Sequence, residues 1–223
     1  MKLYHGSRYI ITNPVFGGGR KYNDYGQGFY CTESVEMAKE WAVSENRSGF
    51  ANCYDLNESG LSILDLNSED YTTLHWLTIL LQNRTFEMES VLASEAKEYL
   101  QEHFAIDISP FDLIRGYRAD DSYFSFAQDF LNGTISYRQL TNAMHLGKLG
   151  EQIVLKSRRT FDRIAFTGYE VSDCDEYYVR RMNRDKAARG EYFNAERNRR
   201  RKDDLFILHL LDEEVKPDDP RLR

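Results

Sequence analysis

Short apolar runs alternate with segments of helical period along this chain, and glycine, proline and asparagine punctuate them. Runs rich in apolar and aromatic residues between such turn residues predict strands. Strands are predicted at residues 2–5, 28–32, 51–56, 61–66, 112–116, 151–156 and 163–167. Strands mixed with helices over the whole length predict an α+β fold.

Helices are predicted where apolar side chains recur every three or four residues. In segment 33–45, Ala38, Trp41 and Ala42 share one apolar face, and Thr32 is expected to cap the helix. Ser136 and Gln139 have the spacing of a capping box, which predicts a helix start at residue 137. Helices are predicted at residues 33–45, 69–83, 88–103, 122–131 and 137–146, and a charged one from residue 173 to about 202. The apolar run 205–211 is expected to form a final strand or a docking segment.

Charge divides the chain into two parts. The 223 residues carry a net charge of −7, which does not favour general nucleic-acid binding. Residues 180–202 nevertheless hold ten Lys and Arg against three Asp and Glu. We therefore expect a domain at 1–171 and a charged helical extension at 172–223 that contacts an acidic partner.

Cysteine usage and the N-terminus bear on the compartment. Three scattered cysteines argue against a disulfide framework, and no Cys/His spacing typical of a zinc site is present, so no metal is expected. The N-terminus lacks an apolar leader, and no apolar run is long enough to span a bilayer. A cytoplasmic protein without a membrane partner is expected.

Two short motifs carry the candidate chemistry. Tyr4-His5-Gly6-Ser7 ends the first predicted strand, and Gly26-Gln27-Gly28-Phe29-Tyr30 leads into the second. Trp41 follows Tyr30 by eleven residues, on the next predicted helix. Taken singly, each residue has an ordinary structural explanation, namely a turn glycine, an exposed histidine or a core aromatic. Their order and spacing together favour a site.

This arrangement resembles the NAD-binding half of the ADP-ribosyltransferases, the branch with poly-ADP-ribose polymerases and diphtheria toxin. The resemblance implies an ADP-ribosyltransferase-like split β-sheet core with flanking helices. It implies that NAD, as ADP-ribose donor, is bound by His5, Gly6, Ser7, Tyr30 and Trp41. His5 would hold a ribose hydroxyl, and Tyr30 and Trp41 would sandwich nicotinamide. Trp41 stands where the family usually has Tyr, and Ala38 where it often has Ser.

A third motif offers two candidates. The family has a glutamate at the start of a later strand, and this chain has Glu151-Gln152-Ile153-Val154 there. Direct matching assigns the catalytic place to Glu151. Since side chains alternate along a strand, Glu151 and Gln152 cannot both face one pocket. If Gln152 faces it, the triad reads His-Tyr-Gln.

The chain also resembles a bacterial family called DUF3990, over residues 2–166. Shared features are the N-terminal motifs, the Gln-Ile start of the later strand and Ala119-Asp120-Asp121. Two adjacent carboxylates before a helix more often cap that helix than perform chemistry.

These resemblances imply a glycosyltransferase that moves ADP-ribose from NAD to a protein or nucleic acid, and an intracellular toxin with a neutralising antitoxin protein as partner. Two alternatives stay open. The same residues could hydrolyse NAD, as an NAD glycohydrolase. The fold could also be a catalytically inactive binding module if the third motif is degenerate.

Overall fold

The chain forms a mixed α+β fold with two sheets, which confirms the predicted class. A computed structural model describes residues 1–88, 90–119, 121–146, 151–196 and 199–223. The strands are β1 Lys2–Ser7, β2 Phe29–Cys31, β3 Gly49–Leu56, β4 Ile63–Asp65, β5 Leu113–Tyr117, β6 Glu151–Leu155 and β7 Ile164–Ser172. The helices are α1 Val35–Ala42, α2 Thr73–Asn83, α3 Val91–His103, α4 Asp121–Leu131, α5 Tyr137–Ala143, α6 Arg158–Phe161, α7 Cys174–Glu191 and α8 Ile207–Asp212. A π-helical turn, Tyr192–Glu196, and a 3₁₀ turn, Pro220–Leu222, occur in the C-terminal part.

The two sheets separate at the first two strands. One sheet has the order β1-β3-β7 and the other the order β2-β6-β5-β4. Tyr4 of β1 and Thr32 exchange two backbone hydrogen bonds of 2.8 and 2.9 Å, and this bridge joins the sheets. Because β1 and β2 then belong to different sheets, a cleft opens beside the bridge.

Helix α1 begins later than predicted. Ser34 is the N-cap, and its hydroxyl accepts a hydrogen bond of 3.3 Å from the backbone N–H of Met37. Thr32, the predicted cap, is held instead by the bridge to Tyr4. The capping box of Ser136 and Gln139 is present as predicted, so α5 begins at Tyr137. Local capping chemistry thus gave one correct helix start and one that is wrong by two residues.

Several described side chains after residue 172 pack into the main core. Tyr192, Ile207 and Leu210 are at most 1% exposed and belong to the same hydrophobic cluster as the side chains of α2 to α5. Most of the run 205–211, for which a strand or a docking segment was expected, lies in α8, which packs its apolar side against this cluster. The described part of the chain after residue 172 therefore contributes buried side chains to the main core.

Helix α7 also contacts α1 through charges. Arg180 Nη1 lies 2.7 Å from Glu36 Oε2, and Arg184 is ion-paired with Glu40. These arginines belong to the stretch that was expected to contact an acidic partner, and they pair with acidic residues of the same chain. Within the described ranges, none of the helices is long and apolar enough to cross a bilayer.

Candidate functional site

A cleft of about 850 Å³ lies where the two sheets separate. Ligand pockets commonly have volumes of ~300–1,000 Å³. His5, Gly6, Ser7, Tyr30, Trp41 and Gln152 all line it. The structure therefore brings together every predicted site residue except Glu151, although these residues come from three strands and a helix.

His5 bridges the two walls of the cleft. Its Nδ1 lies 2.6 Å from the backbone oxygen of Tyr30, and its ring stacks on Phe29 at 4.3 Å. Because a carbonyl oxygen only accepts, the proton must sit on Nδ1, and Nε2 has a lone pair. Burial lowers the pKa of His5 below its ordinary value, which keeps the ring neutral near pH 7. His5 can thus accept a hydrogen bond at Nε2.

Gly6 is needed for packing, whatever the cleft binds. A Cβ at this position would lie 2.2 Å from the backbone oxygen of Ala38 and 2.8 Å from the backbone nitrogen of Ala42. Both atoms belong to α1, which crosses directly over β1. The glycine lets the helix approach closely enough for Trp41 to reach the cleft. The next residue, Ser7, accepts a hydrogen bond of 3.2 Å from the backbone N–H of Tyr9.

Tyr30 is fixed at its hydroxyl. It donates to the backbone oxygen of Gly26 at 2.6 Å and accepts from the backbone N–H of Tyr25 at 3.0 Å. Burial raises the pKa of Tyr30 above its ordinary value, so the phenol stays protonated. With the hydroxyl occupied, the ring face is the part of Tyr30 available to a ligand.

Trp41 presents an unpaired donor. The Arg118 guanidinium lies 4.6 Å from the centre of the indole ring, while the indole Nε1 is buried without a hydrogen-bond partner. Leaving such a group unpaired costs about 1–3 kcal/mol. Gln152, which lines the same cleft, also has a buried atom without a partner, the amide oxygen Oε1. Two residues of the cleft lining thus each have a buried polar atom with unused hydrogen-bonding capacity.

Register separates Glu151 from Gln152. Tyr30 pairs with Val154 across β2 and β6, and side chains two apart share a face, so Gln152 is on the Tyr30 side. Glu151 is on the other face, with its Oε2 3.6 Å from Arg115 Nη1. The direct motif match predicted that Glu151 faces the pocket, but the strand register places its side chain on the opposite face. Gln152, the alternative, occupies that place.

Asp24 is a site residue that sequence reasoning missed. Only 5% exposed, it accepts hydrogen bonds at Oδ2 from Ala119 N (3.0 Å) and Gln152 Nε2 (3.2 Å). Arg84 Nη1 lies 3.1 Å from Oδ1. Burial raises the pKa of Asp24, and these donors and the nearby arginines oppose that rise. No local pattern marks a loop carboxylate whose partners are so distant in sequence.

The turn that contains Asp24 is tied to the four-stranded sheet. Lys156 Nζ donates to the backbone oxygens of Tyr25 (2.6 Å) and Gln27 (2.8 Å). The Tyr25 hydroxyl donates to the backbone oxygen of Tyr117 at 2.6 Å. Gly26 has a φ of 73°, which an L-residue adopts only with strain. These contacts place Asp24 and Tyr30 relative to β6.

Among the described residues, the lining of the cleft is positively charged although the chain is acidic. Arg20, Arg84 and Arg118 line it, and Asp24 is the one carboxylate in this described part of the lining. His5 adds no charge near neutral pH for the reason given above. An anionic group is therefore the expected kind of ligand.

Asp120 lies outside the described residues, as does the side chain of Asp121, so their expected capping role is not described. Ala119, before them, donates its N–H to Asp24. Among the described residues, one group has metal-ligand atoms within 4.8 Å of one another, formed by Asp173, Cys174 and Asp175. It lies far along the chain from the motifs, and Asp173 already caps α7.

Comparison with family models identifies one family. Residues 1–166 match the model described as "Protein of unknown function (DUF3990)". Comparisons with curated proteins and with solved structures give no match. Since the match covers well over half of the chain, the chain belongs to the DUF3990 family, which confirms that resemblance.

Proposed function

We propose that this protein is an ADP-ribosyltransferase that uses NAD as its ADP-ribose donor, with an ADP-ribosyltransferase-like split-sheet core. One observation carries the proposal. His5, Tyr30, Trp41 and Gln152, matched separately to three motifs, line a single cleft. Residues matched by chance would not be expected to line one cleft.

The reaction breaks the bond between nicotinamide and ribose through an oxocarbenium-like transition state. Nicotinamide leaves as a neutral ring, so the site needs little acid catalysis. It must orient the ribose and grip the ring. Neutral His5 would accept a hydrogen bond from a ribose hydroxyl at Nε2, and the ring faces of Tyr30 and Trp41 would hold nicotinamide.

Gln152 would take the place of the family's glutamate. Its amide oxygen can accept a hydrogen bond from a ribose hydroxyl, and its buried, unpaired state supports that use. An amide carries no net charge, so it stabilises a developing cation less than a carboxylate does. The proposed chemistry is therefore slower than in a glutamate-bearing relative. Arg20 lines the cleft and would complement the anionic pyrophosphate of NAD.

A second candidate is an NAD-binding module without transfer activity. The outward orientation of Glu151 favours it, because no described glutamate then lines the cleft. NAD glycohydrolase activity would use the same residues with water as acceptor. Binding without nicotinamide release would select the module, and release without labelled macromolecule would select the hydrolase.

A macromolecular partner would meet the cleft across the loop between β1 and β2. Tyr9, Val15 and Tyr22 of this loop are 67%, 72% and 80% exposed. Such apolar surface beside a cleft is typical of contact sites. We propose that the acceptor, a protein or nucleic acid, and a neutralising antitoxin protein would both use this surface.

Binding is tested first. Millimolar NAD should raise the melting temperature of the protein by mass action. His5→Ala should weaken that rise, whereas His209→Ala, an exposed histidine on α8, should leave it unchanged. Absence of any rise in the unaltered protein would contradict the NAD proposal.

Activity is tested next with labelled NAD and a cell lysate. Protease or nuclease treatment then shows whether the label sits on protein or nucleic acid. Gln152→Ala should lower nicotinamide release by about 10²-fold, in line with loss of one transition-state group. Glu151→Gln is the matched control and should retain activity, since that side chain faces Arg115. The opposite pattern would restore Glu151 as the catalytic residue.

A further inference from the structure

The amide of Gln152 has a defined orientation because of its neighbour. A carboxylate oxygen only accepts hydrogen bonds, so the atom of Gln152 that lies 3.2 Å from Asp24 Oδ2 must be the NH₂ nitrogen. The amide oxygen, Oε1, then points away from Asp24. It is buried and has no partner.

The carboxylate of Asp24 is itself held in place by several hydrogen-bond donors. Its Oδ2 accepts from the backbone N–H of Ala119 as well as from Gln152, and its Oδ1 accepts from Arg84. A backbone donor at 3.0 Å cannot rotate away, so Oδ2 must be an acceptor in this position. Asp24 therefore sets the orientation of the Gln152 amide. Asp24 itself is fixed by the backbone of Ala119, in the segment after β5.

We propose that Asp24 is a positioning residue: it holds the Gln152 amide with its oxygen toward the cleft, so that this point selects a ligand group that donates a hydrogen bond. The identity of the donor, a ribose hydroxyl of NAD, rests on the proposed function. The orientation itself does not. Without Asp24 the amide could turn over and present NH₂, which would repel the same hydroxyl proton.

The first experiment needs no ligand. Side-chain amide NMR signals of Gln152 are compared in the unaltered protein, Asp24→Ala and Asp24→Asn. The Gln152 NH₂ should be protected from hydrogen exchange in the unaltered protein and in Asp24→Asn, whose amide oxygen can still accept. It should lose that protection in Asp24→Ala. Unchanged exchange in a folded Asp24→Ala protein would overturn the positioning role, whether or not NAD binds.

The second experiment measures the dissociation constant of NAD by calorimetry. Asp24→Ala should raise it at least about tenfold, and Asp24→Asn should restore most of the affinity, because the role needs an oxygen acceptor and not a charge. Asp112→Ala is the matched control, since Asp112 is also 5% exposed but lies away from the cleft lining. Equal loss in Asp24→Asn and Asp24→Ala would overturn the positioning role in favour of an electrostatic one.

A double-mutant cycle tests whether Asp24 acts through Gln152. Gln152→Met removes the acceptor at similar size, and Asp24→Ala is combined with it. If Asp24 acts through Gln152, the loss of NAD affinity caused by Asp24→Ala should disappear in the Gln152→Met background. Persistence of the full change there would overturn the inference. If the unaltered protein does not bind NAD, the proposed function fails, and the NMR result still decides the orientation.

Discussion

Replacing Gly6 by alanine tests how closely α1 packs on β1. The added Cβ would lie 2.2 Å from Ala38 O and 2.8 Å from both Ala42 N and Trp41 Cβ. These are backbone atoms and a Cβ, which no rotamer change can move. Helix α1 would have to shift by about 1 Å, and insertion of a methyl group into a packed core costs ~1–3 kcal/mol. With rigid neighbours the upper end applies, about 3 kcal/mol of unfolding free energy.

Thermal unfolding measures this loss. For a chain of this length ~3 kcal/mol corresponds to a melting temperature lower by about 6–12 °C. Gly190→Ala is the matched control, because a Cβ at Gly190, in α7, meets nothing within 4 Å. Alanine there should stabilise the helix by ~0.5–1 kcal/mol. A melting temperature for Gly6→Ala within about 2 °C of the unaltered protein would refute the packing argument.

Two further predictions concern charge. Burial lowers the pKa of His5 in the folded state, so just below pH ~6.5 the unfolded chain binds more protons than the folded one. The stability that neutral His5 contributes is therefore present above pH ~6.5 and is lost as the pH falls toward the folded-state pKa. The difference in unfolding free energy between the unaltered protein and His5→Gln should therefore shrink on acidification, measured by urea unfolding at several pH values; a constant difference would contradict it. Arg184→Ala should cost about 3 kcal/mol, because it leaves the 8% exposed Glu40 unpaired, whereas Arg180→Ala, in a half-exposed pair, should cost ~1 kcal/mol or less in the same assay. Equal costs would show that burial does not set the strength of these pairs.

Local signals in the sequence were sufficient for most elements. The β-branched run Ile153-Val154 gives a buried strand, and the Ser136–Gln139 pair gives a helix start, since both depend on neighbours close in sequence. The run 205–211 was ambiguous because short apolar segments suit either a strand or a buried helix. Its docking against the core decided for a helix.

The alternation of side chains along a strand is also a local rule, and it predicted that only one of the two candidates of the third motif can face the cleft. It showed that Glu151 and Gln152 face opposite ways, but not which one faces the cleft. That choice depends on the pairing of Tyr30 with Val154, two residues 124 positions apart in the chain. Register is a property of two strands, so a single strand's sequence does not contain it.

The amino-acid sequence by itself determined the α+β class, most strands and helices, and the presence of His5, Tyr30 and Trp41 at motif spacing. Only the tertiary structure placed Asp24 against Gln152 and paired Arg184 with Glu40. The physical reason is the range of the interactions. Capping, periodicity and turn preferences act over a few residues, whereas the burial and hydrogen bonding of a charged side chain depend on which distant segments the fold brings beside it.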